Sequence, residues 1–599
     1  MFKNYFFIRK IKILFGNTDF KEIYFLFFGI LLMGFFEIIG VFSIAPFMAV
    51  ILNPDIISES KYLSFIYDAL NIDIDNDSEF IFFLGAGVIL VLLISNTFQV
   101  YINWKILDFV NIQSHKISAR LLSNYLDQPY SFFLNKNTSE MSKNILSEVN
   151  RGMQGVVLQL LVVLAKLIIV LFIFILLLWV NSTIALVATI VLFGSYGVIH
   201  AVVKNKVSLI GQKLTDANYQ VYKSATEALS SIKYIKVRGS EVGFVKSFYG
   251  PSEEIAGYQT KSHMFSLVPR YILEVIIFGG MIIIVMTLGG ENSEIIPVVS
   301  LYAMAGYRLM PAIQSIYSGI ISIKYNISAF DLLVSDLSKS DESKEMNFKL
   351  KKHTLKFNHK IELKDINYTY LGANHSIINK LNLTIEKNTV VGIVGTTGSG
   401  KTTLVDILLG LLSPSAGYIK LDETRLGKNN ISNWQSDVGY VPQSVYLLDG
   451  SIRRNIAFGI PNDKINEDQI IRVAKMASLH DFILSLPEKY DTLVGERGVR
   501  LSGGQQQRIS IARALYHNPS VLMLDEATSA LDNVTENTIM DAIHNLAHKK
   551  TIIMIAHRLS TIKECDIVHM MDAGTIVASG TYQQLIVDNK DFRAMANAT

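Results

Sequence analysis

Glycine, lysine and threonine recur at fixed spacing in Gly395-Thr396-Thr397-Gly398-Ser399-Gly400-Lys401-Thr402, a set suited to holding phosphate. The glycines let backbone N–H groups close around phosphate oxygens. Lys401 can neutralise charge on β- and γ-phosphates, and the Thr402 hydroxyl can ligate magnesium. The apolar run at 389–394 reads as a buried strand, and residues 401–411 read as a helix. A phosphate loop needs this strand-to-helix context. Downstream, Leu501-Ser502-Gly503-Gly504-Gln505 precedes a second strand pattern at 521–524 that ends on Asp525-Glu526. Asp525 is placed to meet magnesium and Glu526 to polarise an attacking water. A lone Asp-Glu pair would be an ordinary solvated loop, so the combination carries the argument.

Positioning these residues takes only part of the chain. Of 599 residues half are hydrophobic, and the apolar runs concentrate before residue 325. Six runs, at about 22–52, 79–109, 153–180, 182–203, 264–289 and 295–323, each exceed the roughly 20 residues that cross a bilayer as a helix. The expected architecture is an α-helical six-span transmembrane domain at 1–325, a linker at 326–345 and an α/β P-loop nucleotide-binding domain at 346–599. The loop at 53–78 is acidic and is read as facing out, whereas 110–152 and 204–262 carry many lysines and arginines and are read as facing in. Both termini and the nucleotide-binding domain then lie in the cytoplasm.

The inward segments are too long for simple turns, so their helices are expected to continue beyond the membrane. Turning points fall at Gln128-Pro129-Tyr130-Ser131-Phe132-Phe133 and at 227–233. The start of the chain alternates aromatic with basic residues and has no small-residue cleavage site. It reads as a helix on the inner membrane surface rather than a cleaved signal. Between the first two spans, about 59–71 places Leu63, Ile66, Tyr67 and Leu70 at helical spacing, a short external helix that covers the bundle or meets a lipid tail. A net charge of +3 with dispersed basic residues gives no nucleic-acid signature, and Cys565, the only cysteine, excludes an intramolecular disulfide.

With these motifs in order, the C-terminal region resembles the nucleotide-binding domain of ATP-binding-cassette transporters, and the membrane half resembles their type I/IV exporter fold. The resemblance implies ATP and Mg2+ as ligands. It implies phosphate contacts from Gly395 through Lys401, Thr402 and Thr403, and adenine stacking by Tyr370. Gln443 would be a sensing glutamine that contacts ATP and metal, Asp525 a metal ligand, Glu526 and His557 catalytic, and Ser529-Ala530-Leu531-Asp532 a dimer-contact loop. Leu501–Gln505 match the signature whose Ser502, Gly503, Gly504 and Gln505 approach ATP held by the opposite subunit, at a helix start suited to anions. Thr492, Gly495, Glu496, Arg497 and Gly498 match the segment that exporters place ahead of it. One loop and one signature per chain imply a homodimer.

Charged residues within spans narrow the cargo, because each costs roughly 2.5 to 3.5 kcal/mol at bilayer depth. Glu37, Lys166, Arg270, Glu274 and Arg308 are the candidates. Lys166 can snorkel, and Arg270 and Glu274, four apart, can neutralise one another. Arg308 has no local acidic neighbour in its span. Val268-Pro269-Arg270 and Tyr307-Arg308-Leu309-Met310-Pro311, with the external helix, resemble the bacterial PglK-type flippases. That resemblance implies a multi-pass inner-membrane protein moving an undecaprenyl-pyrophosphate-linked glycan, with membrane lipid around its tail and Arg270 and Arg308 facing pyrophosphate. Export of peptide, drug or another lipid, and an ATPase acting as sensor or gate, are the alternatives.

Overall fold

The computed structural model describes residues 2–15, 20–52, 77–180, 182–288, 295–344, 357–527, 533–556 and 558–598. The external helix expected at 59–71, the loop Ser529–Asp532 and His557 lie outside these residues. Two compact units emerge: residues 1–128 with 135–346, and residues 129–134 with 347–599.

Among the described residues the regular elements of the first unit are all helices. Its elements are α1 (Phe2–Phe15), α2 (Phe20–Phe42), α3 (Ile44–Leu52), α4 (Asp77–Leu126), α5 (Tyr130–Asn135, mostly in the second unit), α6 (Thr138–Lys143), α7 (Val149–Gly152), α8 (Leu158–Val180), α9 (Ser182–Ser230), α10 (Ile232–Arg238), α11 (Glu241–Leu288) and α12 (Ile295–Lys344). Among the described residues, three stretches are long and apolar enough to cross a membrane: 21–40, 79–126 and 138–179. α4 and α12 contain 50 residues each. At 1.5 Å per residue each is about 75 Å long, more than twice the roughly 30 Å of bilayer hydrocarbon. The helices expected through the inward segments are present: α4 runs on to Leu126, α9 runs on to Ser230, and α11 begins at Glu241. α2 stops at Phe42 and α3 begins at Ile44, so the first apolar run is two helices rather than one.

Helices in this unit approach closely where side chains vanish. A Cβ on Gly211 of α9 would meet the Tyr325 carbonyl oxygen of α12 at 2.1 Å, and one on Gly155 would meet Asn326 Nδ2 at 2.2 Å. Gly155 lies in the second of two π-turns, Asn144–Glu148 and Met153–Val157, that interrupt the helix leading into α8. Beside them Arg151 donates to Glu148 at 2.7 Å and to Asn326 at 3.3 Å, and Glu148 is fully buried. The N-terminal helix is tied to the bundle: Arg120 donates to the carbonyls of Ile13 and Leu14, and Lys10 pairs with Asp331 at 2.7 Å. α12 runs through Pro311 without interruption, and the Pro311 carbonyl accepts from Ser315 Oγ at 2.8 Å.

The second unit is α/β. β1 (Lys360–Tyr368), β2 (Ile378–Glu386), β4 (Ala416–Leu421) and β5 (Thr424–Arg425) form an antiparallel sheet in the order β2-β1-β4-β5. β3 (Val390–Gly395), β6 (Val438–Val441), β7 (Val521–Asp525), β8 (Thr551–Ile555), β9 (Ile567–Asp572) and β10 (Thr575–Gly580) form a sheet in the order β10-β9-β3-β8-β7-β6. All its pairings are parallel except β10 on β9. β3, β7 and β8 are buried at every residue, which is why they read as continuous apolar runs rather than alternating ones. Val390 and Val394 pack into a core with the helices on one face, while Val391 and Ile393 pack with Trp434 and the antiparallel sheet on the other.

Candidate functional site

Parallel register brings four strand ends to one edge of the larger sheet, the place where open α/β sheets bind ligands. Ile393 of β3 and Asp525 of β7 both pair with Ile555 of β8, and Val441 of β6 pairs with Leu524. β3 runs directly into the loop 395–400, which opens α13 (Lys401–Leu408). Two glycines explain the loop's composition. Gly400, the residue before α13, has φ 99°, and Gly395 has φ 155° with Met571 O only 2.2 Å from where its Cβ would stand. Thr396, Thr397 and Gly398 are exposed, whereas Ser399 is buried and its Oγ has no hydrogen-bond partner. Such an orphan in a loop of this shape suits a phosphate oxygen as acceptor.

Lys401 is buried and donates to the carbonyls of Gly395 at 2.8 Å and Thr396 at 2.9 Å. Burial pushes its pKa down, against the opposing pull of Glu526 and Asp525. Thr402 is exposed beside it. The Thr403 hydroxyl lies 3.1 Å from the Tyr370 hydroxyl, so the tyrosine expected to stack adenine is joined to the phosphate-loop helix. Tyr368 braces Tyr370 edge-on at 5.0 Å between ring centroids.

Asp525 ends β7, and Glu526 follows in a left-handed conformation, φ 49°. The Glu526 N–H still donates to Ile555 O at 3.1 Å, so the turn is anchored on β8 while the side chain leaves the sheet. Gln443, two residues beyond β6, donates Nε2 to Glu526 Oε2 at 2.5 Å. Burial and then Asp525 raise the Asp406 carboxyl to about 6, and the same causes raise Tyr440. Thr402, Gln443 and Asp525 each carry a side-chain oxygen, the donor type that magnesium takes.

Ser502 caps α18 (Gly503–Leu515; α14 to α17 are Ile431–Ser436, Ile452–Ile456, Glu467–Met476 and His480–Ser485). Its Oγ accepts from Gln505 N at 3.3 Å while Gln505 Oε1 accepts from Ser502 N at 2.9 Å. Ser502 and Gly503 are exposed, leaving the helix start open to a ligand. Gln506 donates to the carbonyls of Gly498 and Leu501, lacing α18 to the segment Glu496–Gly498 ahead of it.

One structural tether escapes sequence reasoning. Arg513 of α18 donates Nε to Asn455 O and Nη1 to Tyr446 O, each at 2.8 Å, and Nη2 to Asn455 Oδ1 at 3.0 Å. Residues 129–134, the first expected turning point, cluster with the nucleotide unit, and Tyr130 lies within electrostatic reach of Asp406 and Tyr370. In the first unit Arg270 donates Nε to Glu274 at 2.9 Å, the neutralising pair that their spacing allows. Arg308 lies on α12, and its side chain is outside the described set.

A long-helix membrane unit on one chain with a P-loop nucleotide unit defines a class: membrane proteins with a nucleotide-binding motor domain. Residues 378–529 match the ABC transporter family and residues 23–288 match the ABC transporter transmembrane region. HepA, the heterocyst differentiation ATP-binding protein of Nostoc sp., is 31% identical over 458 residues, 76% of this chain and 74% of its own length. The chain belongs to the ABC transporter family. It is 35% identical to the ATP-dependent lipid A-core flippase of Saccharophagus degradans over 385 residues, and that alignment spans 63% of each protein. The leukotoxin export ATP-binding protein LtxB of Aggregatibacter actinomycetemcomitans is 44% identical over 231 residues, 38% of this chain and 32% of its own. A bacterial Atm1-family ABC exporter solved with ATP bound shares the fold, with a TM-score of 0.77 over 97% of this chain and 99% of that one at 22% identity. The expected exporter fold, a helical membrane domain followed by an α/β nucleotide-binding domain, is borne out.

Proposed function

We propose that two copies of this chain form an ATP-driven flippase that carries a lipid-linked glycan from the cytoplasmic to the outer leaflet of the inner membrane. Tyr370 stacks on adenine, and Gly395 through Thr403 hold the phosphates. Magnesium on Thr402, Gln443 and Asp525 supplies charge neutralisation when bound. Glu526 orients and polarises the attacking water, with His557 as the switch residue after β8. Ser502 through Gln505 reach the nucleotide of the partner subunit. The observation that carries this reading is the Gln443–Glu526 hydrogen bond at the sheet edge where the phosphate loop begins, on a chain that also holds long apolar helices. At the turn between α9 and α10, Leu229, Tyr234 and Val237 are 74%, 81% and 85% exposed, an apolar group that a second subunit would cover.

The cargo rests on the PglK-like segments around Arg270 and Arg308 and on kinship with a protein named for flipping lipid A-core. In this reading the two arginines, doubled by the dimer, grip pyrophosphate. Because the chain is also similar to a protein named for leukotoxin export, the cargo is argued from the membrane unit and not from kinship alone. Proteoliposomes with a fluorescent undecaprenyl-pyrophosphate glycan test the proposal. ATP-dependent leaflet exchange is expected, falling by at least ~100-fold with turnover in Glu526→Gln, which keeps ATP binding. ATP hydrolysis without leaflet exchange would reject the flippase reading.

A further inference from the structure

A cavity of about 340 Å³ lies inside the first unit, between the start of α8 and the facing stretches of α11 and α12. Its wall includes Gln159, Gln259, Ser262, His263, Ser322 and Asn326. Among the described residues it holds no carboxylate, ammonium or guanidinium group; apart from His263, the polar wall is made of hydroxyls and amides. The helical spacing accounts for this. Gln259, Ser262, His263 and Ser266 recur at three and four residues on α11, and Ser318, Ser322 and Asn326 recur every four on α12, so each set shares one helix face. Tyr325, also in the wall, is 9% exposed, and its buried hydroxyl has no hydrogen-bond partner.

We infer that this cavity binds the neutral, polyhydroxylated part of the cargo, a saccharide unit. The inference deepens the flippase reading and rests on it for the lipid to which the sugar is attached. Hydroxyl and amide side chains both donate and accept, which matches the alternating roles of sugar hydroxyls. An apolar ligand would leave the amides of Gln159 and Gln259 and the Ser262 hydroxyl facing a surface that offers them no partner. A phosphate or carboxylate would meet no ammonium or guanidinium group among the described wall residues, and Arg151, the guanidinium that touches Asn326, is already committed to Glu148. The volume equals about eleven waters at ~30 Å³ each, close to the about twelve non-hydrogen atoms of a hexose. Pyrophosphate recognition and sugar recognition are then separate: arginines for the first, this wall for the second.

Thiol protection tests the assignment, because Cys565 is buried and its thiol is pushed up to about 12 by burial, leaving an introduced cysteine as the reactive one. Full-length Ser262→Cys in nanodiscs would be labelled with a maleimide alone and in the presence of di-N-acetylchitobiose, trialanine, inorganic pyrophosphate, undecaprenyl pyrophosphate or its N-acetylglucosamine conjugate. Labelling is expected to slow at least fivefold with chitobiose and with the conjugate, and the protection to be lost when Gln259→Leu is added. Equal protection by trialanine, pyrophosphate or the sugar-free lipid would overturn the inference, as would no protection by either sugar-bearing probe. Leaflet exchange of the fluorescent conjugate by the same preparation separates the two readings. Exchange without protection sinks the cavity assignment alone, and protection without exchange sustains the cavity and removes the flippase reading.

Discussion

His569 lies on β9 with Nδ1 2.7 Å from Ser579 Oγ of the paired strand β10, and its Nε2 is buried with no partner. Burial lowers its pKa from 6.5 to about 4, so the folded protein holds a neutral imidazole where the unfolded chain takes up a proton. The resulting stability is complete above pH 6.5 and is lost as the pH falls toward 4, with a total of about 3 kcal/mol. His569→Phe should flatten the acid limb: between pH 6.5 and 5 its unfolding temperature should fall less steeply than that of the natural protein. Parallel curves would remove His569 from the acid response. Nothing in the sequence distinguishes this histidine, because its environment is assembled from β9 and its two neighbouring strands, β3 and β10. The residues at the sheet edge are legible for the opposite reason. Phosphate chemistry demands glycine, lysine and threonine in unbroken order, and Asp525-Glu526 must end a buried strand, so local sequence carries the whole requirement.

Elements show the same division between local and distant causes. The phosphate loop, the strand ends and the turn at Ser231 between α9 and α10 follow from periodicity and composition over a dozen residues. Arg513 is invisible to that logic, since its acceptors are carbonyls 58 and 67 positions away. Its guanidinium, over the Phe458 ring at 4.7 Å, joins the last turn of α18 to the stretch that follows Gln443, so the two ends of the motor site move together. Burial lowers its pKa to about 10, leaving it charged at neutral pH. Arg513→Ala strips donors from three acceptors and should cost roughly 2 to 4 kcal/mol. Arg513→Lys, which offers no planar fork, should recover only part of this. The readout is the unfolding temperature of the purified full chain, together with ATPase rate. An alanine variant as stable as the natural protein would show that the tether is idle.

At the scale of the whole molecule, one phosphate loop and one signature helix per chain leave two arrangements: a site closed within each protomer, or two shared sites across a dimer. Lys401 and Ser502 separate them. Lys401→Ala damages the loop half and Ser502→Arg the signature half, and a homodimer of either variant loses both sites. In a mixed dimer with shared sites, the two lesions fall together in one site and leave the other intact. Within-protomer sites give no such rescue, because each protomer carries its own lesion. Random mixing makes half the dimers mixed, each with one sound site of two, so ATPase activity should return to about a quarter of the natural rate if sites act independently. Co-expression with two affinity tags and tandem purification isolates the mixed species, where the expected recovery rises to about one half. Mixed dimers as inactive as the parents would place loop and signature on the same protomer and remove the reason for dimerisation. Recovery in the mixed dimer would make each nucleotide a bond between subunits, and in the proposed flippase its binding and release would then supply the force that reshapes the cargo's path.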